Sequence, residues 1–235
     1  MHLLIKSKFQ NWCLSKHFKL SDLFPSINKN NISNIGLSVN NSFAKHLKAF
    51  NNLELFQQKI DALQEEYPNT IIAGGYLEQR KLYTDSNYER IGKQGKEYRN
   101  VHLGVDYWLP EQTPVHTLLD GEVIVSTNNK GFKAYGGLII LKHQLDDFEF
   151  FTLYGHLSLK SINAKNIGDI VKKGECIGYL GDPKENGQWV PHLHFQIILD
   201  MLDYKDDFPG VAYPNELDFW QQICPDPHLL FNFDN

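Results

Sequence analysis

The chain has 235 residues, 42% of them hydrophobic and 22% charged, with a net charge of −5. That length suffices for one sizeable core, and the acidic balance gives no electrostatic ground for binding nucleic acid. No apolar run approaches the roughly 18 residues of a transmembrane segment. The apolar start Leu3-Leu4-Ile5 falls short of the about 7 to 15 residues of a secretory signal, so by sequence the chain reads as cytoplasmic.

Residues 1 to about 48 are rich in Asn, Ser and Lys, and Asn28, Asn30, Asn31 and Asn34 make the middle of that stretch turn-like. Leu53, Phe56, Ile60 and Leu63 then recur at helical spacing, which predicts a helix over 50–66 that stops before Pro68. Residues 1–70 are therefore expected to form a partly helical extension. From 71 onward the apolar runs are short, β-branched and separated by Gly, Asn or Asp. Strands are expected at 115–118, 121–126, 138–142, 150–154 and 193–199, with turns at Asp120-Gly121 and Gly136-Gly137. No helical pattern alternates with them, so the expected fold is mainly β, with an antiparallel sheet over 71–205. Residues 206–235 form a C-terminal tail. Cys13, Cys176 and Cys224 are too few and too scattered for a thiolate metal site or a disulfide framework, which predicts three free thiols.

Three segments carry metal-competent side chains. They are Val101-His102-Leu103-Gly104-Val105-Asp106, Tyr154-Gly155-His156-Leu157 and His192-Leu193-His194-Phe195. Residues two or four apart share one face of a strand. On that rule His192 and His194 project together, His102 and Asp106 share a face, and Tyr154 and His156 share a face against Leu153 and Leu157. A catalytic zinc takes three His or carboxylate ligands and leaves one position open. Five candidates exceed that number by two, and the surplus histidines are suited to general-base work and to stabilising an oxyanion.

The order and spacing of these segments resemble the lysostaphin/LytM-type zinc endopeptidases, with their His-x-x-x-Asp, Tyr-x-His-Leu and final His-x-His elements. The likeness covers about 98 to 200 and includes Thr113-Pro114-Val115, Asp120-Gly121-Glu122-Val123 and the glycine-punctuated stretch 168–181. It implies a fold of the duplicated hybrid motif type, a groove floored by one zinc ion, and His102, Asp106 and His194 as its ligands. It also implies that His156 and His192 are catalytic and that the substrate is a peptide of peptidoglycan. Trp189 and Val190 are bulkier than the small residues usual in that family before the last element. Two other readings keep the fold: a zinc hydrolase of an intracellular peptide or amide, and a non-catalytic module that binds peptidoglycan or a protein partner. His143 is a candidate for a place beside the site. His2, His17, His46, His116 and His228 are expected to be structural, Asp203, Asp206 and Asp207 to lie in a solvated loop, and 74–78 either to cover one end of the groove or to form a plain turn.

Overall fold

The computed structural model describes residues 2–38, 52–83, 85–93 and 95–233. His46 and residues 50 and 51 of the expected helix lie outside these residues. The described strands are β1 (Asn31–Asn34), β2 (Thr70–Gly74), β3 (Glu89–Gly92), β4 (Gly95–Tyr98), β5 (Val101–His102), β6 (Val105–Trp108) and β7 (Pro114–His116). They continue with β8 (Gly121–Asn129), β9 (Gly136–Gln144), β10 (Glu149–Leu157), β11 (Ile170–Val171), β12 (Cys176–Tyr179), β13 (His192–Ile198) and β14 (Val211–Ala212).

Eight of them form one sheet in the order β1-β2-β6-β13-β10-β9-β8-β11. Only β1 and β2 run parallel, and the other neighbours are antiparallel. The mainly antiparallel β class is therefore the one expected; β8, β9 and β10 run beyond the expected 121–126, 138–142 and 150–154, whereas β7 and β13 start one residue early and stop short of 118 and 199.

Strand alternation builds two layers of core. One face carries Ile71, Ala73, Val105, Tyr107, Leu193, Phe195 and Tyr154, which pack with Phe9, Leu20, Leu23 and Phe24 from the N-terminal segment. The opposite face carries two separate apolar clusters. Ile72, Trp108 and Val190 pack with Ile35, Leu37, Phe56 and Ile60, whereas Leu103, Leu138, Leu153 and Ile198 pack with Phe208, Trp220 and Ile223. Because β2 is buried on both faces, its sequence Ile71-Ile72-Ala73 runs apolar without alternation.

The helix Leu53–Glu66 begins where the Asn52 side chain accepts from the Leu55 N–H at 3.1 Å, the usual N-cap device. It buries Phe56 and Ile60, the residues four apart that the periodicity marked. A second helix, His2–Leu14, was not separately legible in the sequence. It buries Phe9 and Cys13, with Phe9 edge-on to Phe150 at 5.1 Å between ring centres. Phe18 bridges to Phe231, so both terminal segments pack on the sheet. Cys13, Cys176 and Cys224 are free thiols.

Candidate metal centre

The second face of the sheet gathers the candidates between its two apolar clusters. β13 pairs with β6 so that His194 stands opposite Asp106 and His192 opposite Trp108. His192 and His194 point to this face, and Leu193 and Phe195 to the other, as the period of two requires.

The first segment departs from the expectation. His102 and Asp106 do not lie on one strand: His102 ends β5, which pairs with β14, and Asp106 belongs to β6 of the main sheet. The chain crosses between them at Leu103-Gly104, and Leu103 and Val105 enter opposite clusters. Only glycine fits at 104, where a Cβ would stand 2.6 Å from the Phe195 carbonyl oxygen and 2.9 Å from the His194 ring.

The second segment also departs. Tyr154 and His156 do not share a face, and Tyr154 and Leu157 both enter the first core cluster. A bulge between Gly155 and Leu157, with His156 at φ 66°, turns His156 across the sheet to the side of His192 and His194. A left-handed conformation is uncommon for a residue other than glycine. It is held here by the His156 N–H donating to the Tyr135 carbonyl at 3.0 Å and by the Gly181 N–H donating to the His156 carbonyl at 2.9 Å. Bulges of this kind re-aim a side chain.

The result is a tight triangle. His102 Nε2 and His194 Nδ1 are 2.8 Å apart, and each lies 3.2 Å from Asp106 Oδ1. Those edges suit three ligands on one small divalent ion at about 2.0 to 2.1 Å, and these three residues form the metal-competent group among the described residues. The far atom of each ligand has its own partner. His102 Nδ1 is 3.1 Å from the Gly75 carbonyl, His194 Nε2 is 2.9 Å from Gln196 Oε1, and Arg80 donates to Asp106 Oδ2 at 2.5 Å. Such outer contacts fix the tautomer and the aim of a ligand.

Arg80 is fully buried and shares Glu78 Oε2 through Nε and Nη2, both at 3.1 Å. The other Glu78 oxygen accepts from the Leu37 N–H at 3.0 Å. Segment 74–78 is thus neither a bare turn nor only a cover, because it supplies the supports of His102 and of Arg80. Arg80, Glu78 and Gln196 were not singled out in the sequence. Gln196 follows the His192-x-His194 alternation and was findable, but the partner of Arg80 stands 26 residues away.

Electrostatics favour metal-ready protonation states. Burial and the nearby Arg80 charge push His102 down to about 3. Burial disfavours the Asp106 carboxylate, yet His102 and Arg80 hold its pKa well below the usual range. Neutral imidazole and ionised carboxylate are the forms that bind metal.

His156 and His192 stand beside the triangle with ring centres 4.2 Å apart. Each turns Nδ1 to a backbone carbonyl, His156 to Asn186 at 2.9 Å and His192 to Val190 at 2.7 Å. Donation to those carbonyls leaves Nε2 as the lone-pair nitrogen of each ring, and His192 Nε2 is 3.7 Å from Asp106 Oδ1. Burial pushes His192 down to about 4 and His156 well below its usual value.

Two cavities adjoin the centre. A chamber of about 20 Å³ lies over Asp106, His156, His192 and His194, closed by Leu37, Phe56, Leu82 and Trp108; it has room for about one water. A larger cavity of about 260 Å³ meets the centre at His156 and His194 and runs out past Trp189, Tyr135, Lys133 and Phe208. Asp207 lines that cavity, while Asp203 and Asp206 are exposed. His143 lies in the opposite core, 2.9 Å from the Asp120 carbonyl and 2.7 Å from Thr152 Oγ1, and touches none of the candidate residues. His2, His17 and His116 have hydrogen-bond partners remote from the centre, and His228 packs against Tyr107 and Phe233.

Comparison with known proteins bears on this region. Residues 100–204 match the model of Peptidase family M23. The DD-carboxypeptidase/endopeptidase Mpg of Neisseria meningitidis serogroup B is 38% identical over 96 residues, 41% of this chain and 20% of that protein. The peptidoglycan DD-endopeptidase ShyA of Vibrio cholerae is 35% identical over 99 residues, 42% of this chain and 20% of that protein. The chain thus spans about a fifth of the length of these relatives. The solved catalytic domain of lysostaphin from Staphylococcus simulans is 26% identical, with 52% of this chain and 80% of that one covered and a TM-score of 0.36. The match over residues 100–204, which holds every candidate ligand, places in this chain a domain of Peptidase family M23.

Proposed function

We propose that the chain is a zinc-dependent endopeptidase that hydrolyses peptide bonds of peptidoglycan. The observation that carries this reading is the triangle of His102 Nε2, His194 Nδ1 and Asp106 Oδ1, with the Nε2 faces of His156 and His192 beside it. The name of the Vibrio cholerae relative, a peptidoglycan DD-endopeptidase, supports the substrate class. In this proposal residues 71–205 are the peptidase region, 1–70 an extension that also covers the centre, and 206–235 a tail.

His102, Asp106 and His194 would hold one zinc ion. Bound zinc supplies Lewis acidity that lowers the pKa of water and polarises a carbonyl. His156 and His192 do the proton work: one Nε2 takes a proton from the attacking water as the C–O bond forms, the other ring helps to steady the developing oxyanion, and the proton taken up then passes to the amine nitrogen as the C–N bond breaks. Their backbone carbonyl partners keep both rings from turning. The groove along Trp189 and Tyr135 orients the peptide, and the apolar clusters on both sides exclude bulk water.

The test is digestion of purified peptidoglycan by the full chain with and without zinc, beside three variants. His194→Ala should lose the metal. His156→Ala and His192→Ala should keep it and lose roughly 100- to 1,000-fold in rate. Near-normal cleavage by His156→Ala would overturn the assignment, and failure of the zinc-loaded chain to cut any peptide would overturn the enzyme.

A further inference from the structure

The groove holds a lysine for which the metal chemistry has no use. Lys133 lies on the connection between β8 and β9, is 5% exposed, and lines the larger cavity with Trp189, His156 and His194. Its ammonium sits 3.9 Å from the centre of the Trp189 ring and donates to the Gln188 carbonyl at 2.9 Å. An ammonium offers three N–H donors, and no carboxylate among the described residues pairs with this one. Burying a cation without a counter-charge is costly. Burial pushes Lys133 down to about 8, which leaves it mostly charged at neutral pH.

The backbone that presents this cation is itself strained. Lys133 has φ 59° and Gln188 φ 64°, both in the left-handed region that non-glycine residues seldom occupy. The two loops are fastened together. The Lys133 N–H donates to the Gly187 carbonyl at 2.9 Å, Trp189 Nε1 donates to the Ala134 carbonyl at 3.1 Å, and the Tyr88 hydroxyl donates to the Lys133 carbonyl. Arg99 and Lys130 add positive charge to the lining, and Asp207, its one carboxylate, already accepts from Asn129 at 3.2 Å. Trp189 separates the ammonium from the reacting centre, with its ring centre 5.8 Å from that of His156.

We infer that Lys133 is a specificity residue whose ammonium receives a free carboxylate of the substrate, held on the His156 side of the metal centre. This inference rests on the peptidase reading for its substrate, but binding alone can test it. It makes Trp189, which is bulkier than the sequence pattern leads one to expect, the platform that carries the cation rather than an obstruction of the groove. A carboxylate docked on Lys133 would fix the direction and the register in which a peptide enters.

The experiment is calorimetric titration of the full zinc-loaded chain with N-acetyl-D-alanyl-D-alanine and with its C-terminal amide. A charge-assisted hydrogen bond in a desolvated site predicts roughly 10- to 100-fold tighter binding of the acid. Lys133→Met should bring the affinity for the acid down to that of the amide. Equal affinities in the unaltered chain would overturn the inference, and this comparison needs no variant to fold. A preference for the acid that survives Lys133→Met would overturn it as well. Preference for the acid without cleavage of any peptide would sink the peptidase reading alone. Cleavage without the preference would sink the carboxylate site alone.

Discussion

Arg80 donates to the oxygen of Asp106 that faces away from the two imidazoles, at 2.5 Å, and both side chains are buried. One carboxylate thus serves a guanidinium with one oxygen and a metal position with the other. Arg80→Met should weaken zinc binding by about 10- to 100-fold, measured by competition with a chromophoric chelator. It should also destabilise the metal-free fold by roughly 3 to 5 kcal/mol, because the buried Asp106 and its neighbour Glu78 are both left without their cation. Adding Glu78→Gln should restore part of the melting temperature but none of the zinc affinity. Recovery of both would show that Arg80 acts only through stability.

The left-handed backbone at His156 separates the needs of the fold from those of the chemistry. Asparagine tolerates this conformation better than most residues. His156→Asn should therefore keep the thermal midpoint close to that of the unaltered chain while losing peptidase activity. His156→Val should lose the same activity and melt earlier, since a β-branched residue is poorly suited to that backbone. Equal melting of the two variants would count against strain at this position.

Phe56 closes the small chamber, with its ring edge-on to Trp108 at 5.9 Å between centres. Phe56→Ala should open that side. Zinc should then be stripped by EDTA roughly tenfold faster or more, the change that about 1.4 kcal/mol of lost closing energy gives. An unaltered stripping rate in a folded variant would mean that metal leaves through the larger groove.

His143 makes stability depend on pH away from the metal. Burial holds it down to about 4, against its usual 6.5. Above pH 6.5 neither the folded nor the unfolded chain protonates it, and its neutral form costs nothing. As pH falls from 6.5 toward 4 the unfolded chain takes up a proton that the folded chain refuses, so stability declines by up to about 3 kcal/mol. His143→Gln should flatten that part of the urea-midpoint profile relative to the unaltered chain. Identical slopes for the two proteins would remove His143 as the cause.

Much of the fold, and the gathering of these side chains, could be read because both depend on short-range periodicity. His192 and His194 alternate with Leu193 and Phe195, and the structure keeps that pattern on both faces of β13. What the pattern could not show is where a strand stops obeying it. Leu103-Gly104 carries the chain from β5 to β6, and one bulged residue reverses the facing of His156 relative to Tyr154. The expected residues lie together, but two of the three segments reach the centre by routes that alternation does not encode. Arg80 and Glu78 were illegible for another reason. Two charges in a turn-rich stretch carry no periodic mark, and only the fold buries Arg80 between Asp106 and Glu78.

The Leu37 N–H, Glu78, Arg80 and Asp106 form one unbroken run of hydrogen bonds from the segment over the centre to a carboxylate that belongs to it. Seating that segment and loading the ion are therefore not independent equilibria. By thermodynamic reciprocity, the factor by which a seated Leu37 changes the hold on the ion is the factor by which the ion changes the seating. An ion added to this chain would report its arrival to the segment that covers the centre, through a backbone amide 41 residues before the glutamate's own position.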